Sequence, residues 1–387
     1  MLFSKQPNET INEYINRIGL QREEQDLNWI DISRHVQREF GVLMSVDAVR
    51  KRYARSIASN NYPTTNNIEQ KIEDKAELYK LQAEKLELNG FYRTLSREQT
   101  LKDIGIEAAN IIAQNKPIEF IPSNHDNSNV CGKEAILLIG DWHYGININS
   151  TYNVYNSKIA NDRVHELFDE VVKYIDFYNV DTLHVINLGD MIAGNIHLPI
   201  RLHSQQDIIT QTIEVSELIA NFLVNLARWV DINYYATLDN HSRIDANKKE
   251  SIQLESLARI TPWFLKERLK KWNCIQIFDN CLAPDIVSFK ILNKYNVLAV
   301  HGDKDKPNTI IDRLTAFTGE HQDLICSAHY HHFKCEEQNR TMLISNGSLM
   351  GTDEFAMDLR LDSKPSQTMI ICSDNNVCEQ ICKINLS

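Results

Sequence analysis

Ala135-Ile136-Leu137-Leu138-Ile139-Gly140-Asp141-Trp142-His143 is the stretch on which the reading of this chain turns. Its apolar part is too short for an ordinary helix and breaks at Gly140, so it predicts a buried strand. An aspartate and a histidine follow at once, where the strand gives way to a loop. In open α/β sheets, functional groups gather at the carboxyl ends of strands. The same pattern recurs downstream. Residues 184–188 lead into Gly189-Asp190, and residues 232–238 into Asp239-Asn240-His241. Residues 297–300 lead into His301-Gly302-Asp303, and residues 324–327 into Ala328-His329-Tyr330-His331.

Helical patterns separate the early strands. One lies near residues 157–177, with Val164, Leu167, Val171 and Ile175 on one face. Another lies near 205–229, with Ile209, Ile213, Ile219, Phe222 and Leu226. Strand, helix, strand predicts an α/β domain over 134–387. Later apolar runs at 343–345 and 368–372 come closer together and predict a second, more antiparallel sheet.

The groups after these runs are carboxylates, imidazoles and one amide, with no thiolate among them. Such hard and borderline donors suit Mn²⁺, Fe or Zn²⁺. In an extended chain, residues i and i+2 face the same side. Asp141 with His143, and His329 with His331, are therefore expected to converge if the strand geometry continues. A lone carboxylate such as Asp190 can bridge two ions, and two ions about 3.5–4 Å apart can clamp a phosphoryl group. Each motif alone reads as a turn or a core histidine. Five in this order point to a metal site.

The order D-x-H, G-D, N-H, H, H-x-H resembles the calcineurin-like metallophosphoesterase superfamily over about residues 134–387. That resemblance implies two packed sheets flanked by helices and two divalent cations, Mn²⁺ first, with Fe, Zn²⁺ or Ni²⁺ as alternatives. It implies that Asp141, His143, Asp190 and His331 hold one ion. Asp190, Asn240, His301 and His329 would hold the other, and His241 would act on the scissile phosphate. This chain departs from the family in carrying Asp239 and Ser242 around Asn240-His241, where Gly and an acid are usual. An aspartate can keep a left-handed turn at the first position. At the second, Ser242 replaces a carboxylate that often orients the histidine. The pieces from Gly189 to His197, Asn240 to Arg243 and Gly347 to Ala356 resemble phage and prophage exonuclease-like phosphoesterases, and distantly SbcD-type repair nucleases. Arg243, His197, Arg201 and His203 stand where a substrate would meet them, and Asp303 where it could orient His301.

The first 62 residues predict a helical module. Ile32, Val36 and Phe40 share a face, Gly41 stops that helix, and Ser45 caps the next. That next helix carries Arg50, Lys51, Arg52 and Arg55, spread around it rather than along one stripe. Helix, short turn and basic helix form a helix-turn-helix pattern. Residues 63–133 predict a helical linker. It would consist of a helix over 66–89, with Ile68, Ile72, Ala76, Tyr79, Ala83 and Leu86 on one face, then a second helix from Ser96 to about Gln114, and a polar connector over 115–133. The 66–89 helix is a candidate for self-association.

A formal net charge of −11 excludes a chain coated in basic surface. The start of the chain has no apolar segment of a signal peptide, and no run approaches the ~20 apolar residues of a membrane span. The eight cysteines include no C-x-x-C pair and read as reduced thiols, so a cytoplasmic protein of a bacterium or phage-infected cell is expected. The sequence thus predicts a metal-dependent phosphodiesterase, a DNA nuclease first, attacking phosphorus with a hydroxide that bridges the metals. Two alternatives are a phosphoesterase acting on a small nucleotide or phosphoprotein, and a DNA-bound scaffold with a vestigial site.

Overall fold

The computed structural model describes residues 3–60, 65–114, 118, 132–196, 198–204, 206–353, 356, 357, 360 and 362–387. The chain forms two compact units, Met1–Arg93 and Thr94–Ser387. Most of the expected connector at 115–133 lies outside the described residues. Among those described, no helix is long and apolar enough to cross a membrane.

Three helices share the core of the first unit: α1 (Ile11–Leu20), α2 (Trp29–Phe40) and α3 (Val46–Asn60). The first two begin with reciprocal capping boxes, Thr10 with Glu13 and Asn28 with Asp31. Gly41 ends α2 in the left-handed conformation at φ 67°, and the Ser45 hydroxyl accepts from the Ala48 amide to start α3. Tyr14, Ile15, Ile18, Ile32, Val36 and Val49 form the core. The exposed face of α3 carries Asp47, Arg50, Lys51, Ala54, Arg55 and Ala58, while Arg52 donates to Asn12 at 3.0 Å. All four basic residues are exposed, with Arg50, Lys51 and Arg52 at successive positions about 100° apart around the helix.

The long helix α4 (Thr65–Gln114) is continuous, not two helices broken near residue 90. Gly90 weakens a helix by about 1 kcal/mol but stops one only when it turns left-handed, and no proline follows it. Ile72, Tyr79 and Leu86 on the expected apolar stripe are exposed.

The second unit is a four-layer α/β/β/α arrangement. One sheet has the order β13-β12-β1-β4-β5-β6. Its strands β1 (Glu134–Ile139), β4 (Thr182–Asn187), β5 (Asp231–Ala236) and β6 (Ile275–Ile277) run parallel. The strands β12 (Ser366–Ser373) and β13 (Asn376–Asn385) are antiparallel additions at its edge. A minor hairpin pairs β2 (Ile148–Asn149) with β3 (Val154–Tyr155). Helices α5 (Ser157–Tyr178) and α7 (Ile208–Leu226) make the crossovers, α6 (Leu198–His203) lies between, and α8 (Ile260–Arg268) precedes β6. Period-two alternation divides β1. Ala135, Leu137 and Ile139 join the core beneath α5 and α7, while Ile136 and Leu138 join the core between the sheets.

The other sheet has the order β10-β11-β9-β8-β7. Its strands are β7 (Ile286–Ile291), β8 (Tyr295–Val300), β9 (Leu324–Ser327), β10 (Lys334–Gln338) and β11 (Thr341–Ser345). It is mixed, with antiparallel pairings at both edges and parallel ones between them. β8, β9 and β11 run parallel, because α9 (Ile310–Thr318) returns the chain across the sheet between β8 and β9. Leu298, Val300, Ile325 and Leu343 pack beneath α9.

A buried glutamine ties the first sheet to the loop after β1. The Gln367 side chain accepts from the Gly140 amide at 2.9 Å and the Trp142 indole at 3.2 Å. It donates to the carbonyls of Gly140, Gly347 and Ser366. A Gln367→Leu substitution keeps the volume but leaves two buried donors without an acceptor, at about 1–3 kcal/mol each. It is expected to lower the melting temperature by roughly 5–10 °C in a thermal scan. A shift under about a degree would show that these bonds do not hold the loop.

Candidate metal centre

The parallel strands of both sheets end at one place. β1, β4 and β5 are neighbours in the first sheet, so Asp141, Asp190 and Asn240 leave it side by side. β8 and β9 are neighbours in the second, which brings His301 near His329 and His331. The two loops after β1 and β4 are zipped together: Asp141 N–H donates to Gly189 O at 3.0 Å, and His143 N–H to Asp190 O at 2.9 Å.

The side chains do not converge by strand alternation. Asp141, His143, Asp190, His329 and His331 have φ of 52°, 45°, 52°, 71° and 59°, all in the left-handed region. Continuation of the extended geometry past Ile139 was the wrong premise, because the chain turns sharply at each motif. Left-handed backbone costs roughly 1–2 kcal/mol per residue, and strain of this kind clusters at functional sites. Gly194 allows another close approach. At φ 71°, a Cβ there would lie 2.2 Å from the carbonyl oxygen of His241.

Three overlapping groups result: Asp141, His143 and His331; His143, Asp190 and His241; Asp190, His301 and His329. Within each group the candidate ligand atoms lie within 4.8 Å of one another. Asp190 Oδ2 is 3.1 Å from His301 Nε2, 3.9 Å from His241 Nε2 and 4.0 Å from His143 Nε2. His301 Nε2 is also 2.9 Å from Asn240 Oδ1. Two features fit a cation. His143 Nε2 faces His331 Nε2 at 3.1 Å, and the buried Asp141 Oδ1 has no hydrogen-bond partner. The donor set of carboxylate, imidazole and amide matches Mn²⁺, Fe or Zn²⁺.

Surrounding bonds fix each ring. His301 Nδ1–H donates to Leu188 O at 2.8 Å, and His241 Nδ1–H to Ala193 O at 2.8 Å, so both present Nε2 to the centre. Asp303, considered from sequence as the group that orients His301, is instead 3.4 Å from Lys248. A strand-end carbonyl already occupies the imidazole nitrogen it would have held. Asp239 is not left-handed, so the loop forms without the turn that a glycine would serve. Its carboxylate accepts from Asp190 N–H at 2.9 Å, Ser242 N–H at 2.7 Å and Ser242 Oγ–H at 3.0 Å.

Burial and charge split the titrations. Burial, reinforced by Asp190 and opposed by His301, pushes the Asp141 carboxyl well above its usual range. Burial also opposes ionisation of Asp190, yet His241, His301 and His143 hold it well below that range. Burial depresses His143 and His329, and takes His331 down to about 3. For His301 burial acts in the same direction but loses to the Asp190 carboxylate, and the ring rises to about 10.

The remaining sequence candidates divide. Arg243 joins the site: its Nε–H donates to Asn240 O at 2.8 Å, and its buried Nη1 has no partner. His197 lies outside the described residues. Arg201 and His203 are exposed on α6. The sequence reading missed Ser348, whose hydroxyl donates to Asp141 O at 2.9 Å, and Arg163, which donates to the carbonyls of Leu349 and Met350. It also missed Asn346, fully buried at the end of β11 with both side-chain polar atoms unpartnered. A signal existed for Asn346, since it too directly follows an apolar run.

No family model matches the chain. An uncharacterised SPbeta prophage-derived protein of Bacillus subtilis strain 168, YonJ, is 27% identical over 384 residues, spanning 94% of this chain and 93% of that one. Among solved structures, an archaeal phosphodiesterase is 16% identical, covers 65% of this chain and 99% of its own, with a TM-score of 0.33. Vps29 of Cryptosporidium parvum is 14% identical, covers 65% of this chain and 98% of its own, with a TM-score of 0.33. Vps29 of Entamoeba histolytica, solved with zinc, is 11% identical, covers 65% of this chain and 99% of its own, with a TM-score of 0.31. Superpositions this loose carry no chemistry from one protein to another.

The raised His301 sets the pH dependence of cation binding. Its proton is retained below about pH 10 in the metal-free protein, and a cation taking Nε2 must displace it. Binding of Mn²⁺ at pH 7.5 is therefore expected to release protons, from His301 and from the raised Asp141 carboxyl, and to tighten as pH rises from 6 to 8. Calorimetry in two buffers of different ionisation enthalpy measures this. Affinity independent of pH, with no proton released, would remove His301 from the ligand set.

Proposed function

We propose that this chain is a calcineurin-like metallophosphoesterase, a metal-dependent phosphodiesterase that cleaves nucleic acid, DNA first. One observation carries the reading: a fully buried Asp190 shared by two groups of ligand atoms at the meeting ends of two sheets. Asp141, His143 and His331 would hold one cation with Asp190, and His301, His329 and Asn240 the other. Two bound divalent ions, Mn²⁺ first, would supply Lewis acidity toward the phosphoryl oxygens and ease deprotonation of water. His241 stands beside both groups with Nδ1 tied to Ala193, so its Nε2 is the atom placed to give a proton to the leaving oxygen. The unpartnered Arg243 Nη1 is a donor for a non-bridging phosphate oxygen. Asp239 and Ser242 hold the loop that carries Asn240 and His241 in register with Asp190.

The first unit would hold the polymer. Arg50, Lys51 and Arg55 on the exposed face of α3, after a turn from α2, fit a helix-turn-helix that contacts phosphates. A prophage-derived relative fits a phage or prophage setting for this activity.

With Mn²⁺, the protein is expected to hydrolyse bis(p-nitrophenyl) phosphate and DNA. His241→Asn should lower kcat by about 10²–10⁴-fold while metal content, read by elemental analysis, stays at the wild-type level. Asp190→Asn should lower both. Full activity in either variant would overturn the assignment. For the first unit, neutralising Arg50, Lys51 and Arg55 together should weaken DNA binding and reduce the slope of log K against log salt by about 2–3. An unchanged slope in fluorescence anisotropy would place the polymer elsewhere.

A further inference from the structure

A cavity of about 590 Å³ adjoins the metal centre and shares His301 with it. It is bounded by the 283–286 turn, the 301–305 loop and α9. Its walls are apolar: Ile286, Val300 and Leu314 are buried, and Phe317 at the rim is 64% exposed. Its polar groups are layered by sign. The carboxylates of Asp285, Asp303 and Asp305 are set deep, with side chains 21%, 12% and 12% exposed. Their partners Lys304, Lys248 and Arg313 are outward, at 51%, 65% and 59%. Only the Lys304–Asp285 pair is tight, at 2.6 Å, whereas Lys248–Asp303 and Arg313–Asp305 stand at 3.4 and 3.7 Å. Among the described residues, the three carboxylates do not gather into a metal-like cluster.

That layering selects a ligand. An anion would meet carboxylates at the floor. A simple cation would find each carboxylate already facing a lysine or arginine. A flat group with apolar faces, hydrogen-bond donors on its inner edge and a negative charge on its outer side satisfies every layer. A nucleotide of a polynucleotide has this form: its base stacks on aromatic and aliphatic side chains, and its phosphates lie outward. The volume is within the range of small-ligand sites.

We infer that this cavity is a nucleobase subsite beside the scissile phosphate, and that it favours amino-bearing bases (cytosine, adenine, guanine) over thymine. The inference rests on the phosphodiesterase reading and adds its specificity. Cytosine, adenine and guanine offer amino donors to a carboxylate, whereas thymine offers carbonyl acceptors and a methyl group on the corresponding edge. A carboxylate facing a thymine carbonyl sets acceptor against acceptor, whereas an amino group donates to it.

The test compares d(CpC), d(ApA) and d(TpT) as substrates of the full-length Mn²⁺ protein, with bis(p-nitrophenyl) phosphate as a base-free substrate. The expected kcat/KM for d(CpC) and d(ApA) exceeds that for d(TpT) by at least about ten-fold, mostly through KM. In Asp285→Asn/Asp305→Asn that ratio should fall toward one, since an amide can also donate to thymine. Phe317→Ala should raise KM for all three dinucleotides. A second measurement uses the wild-type protein alone: deoxycytidine should inhibit hydrolysis of bis(p-nitrophenyl) phosphate more strongly than thymidine. Equal rates and equal inhibition across bases would overturn the subsite, as would a preference untouched by both variants. If bis(p-nitrophenyl) phosphate is not cleaved with any divalent cation, the activity itself is refuted. Calorimetric binding of dCMP against dTMP then decides the cavity separately, and equal affinities would refute it too.

Discussion

Asp190 is a fully buried carboxylate with three histidine nitrogens within 4.0 Å, and the larger unit is organised around tolerating it. Burying an ionised carboxylate is costly unless charge and hydrogen bonds compensate. Here His301 takes a proton, His241 N–H donates to Oδ1 at 3.1 Å, and a second carboxyl, Asp141, is pushed toward its neutral form. The same crowding explains the backbone. Five ligand candidates are left-handed because only sharp turns at the strand ends can aim so many polar groups at one small volume. Such turns persist when their surroundings over-determine them. Gln367, Ser348, Tyr155 and Arg163 do that, binding the carbonyls and amides of residues 140–142 and of the 347–350 loop.

Asp239 and Ser242, the two residues of the third motif that differ from the pattern it resembles, are one structural feature. Asp239 and Ser242 bond to each other twice, and Asp239 also accepts from the Asp190 amide. The aspartate therefore supplies by side-chain acceptance what a tight glycine turn would supply by backbone freedom, and the serine is short enough to complete the pair. Loss of an acid after His241 does not leave that ring unoriented, because the Ala193 carbonyl sets its tautomer. That contact depends on Gly194, where any side chain would collide with the His241 carbonyl.

Much of this was legible in the sequence for a physical reason. Segments buried on both faces, such as residues 135–139 and 297–300, read as unbroken apolar runs, and each parallel strand ends beside the others, so the residues after the runs had to be neighbours. What was not legible is equally physical. β10, with four of its five residues exposed, and β13, at the sheet edge, carry too little apolar signal to stand out. Gln367 sits in a strand that is remote in sequence from the loop it binds, and nothing local marks its role. The period-two argument placed Asp141 with His143 for the wrong reason. Alternation requires an extended chain, and the strand had already ended.

A net charge of −11 is ill suited to the proposed polyanionic substrate until the charges are placed. Asp141 and Asp190 belong to the ligand set and are the ones that cations would neutralise. Asp285, Asp303 and Asp305 lie behind an outward layer of Lys304, Lys248 and Arg313, so an approaching phosphate meets positive charge first. On α3, Arg50, Lys51 and Arg55 share the exposed face with a single acid, Asp47. Surface charges separated by more than about 8–10 Å are screened at physiological salt. A polynucleotide therefore responds to these local arrangements more than to the total. An acidic chain with a few basic faces would grip the polymer only where those faces meet it, and the rest of its surface would keep non-specific nucleic acid away.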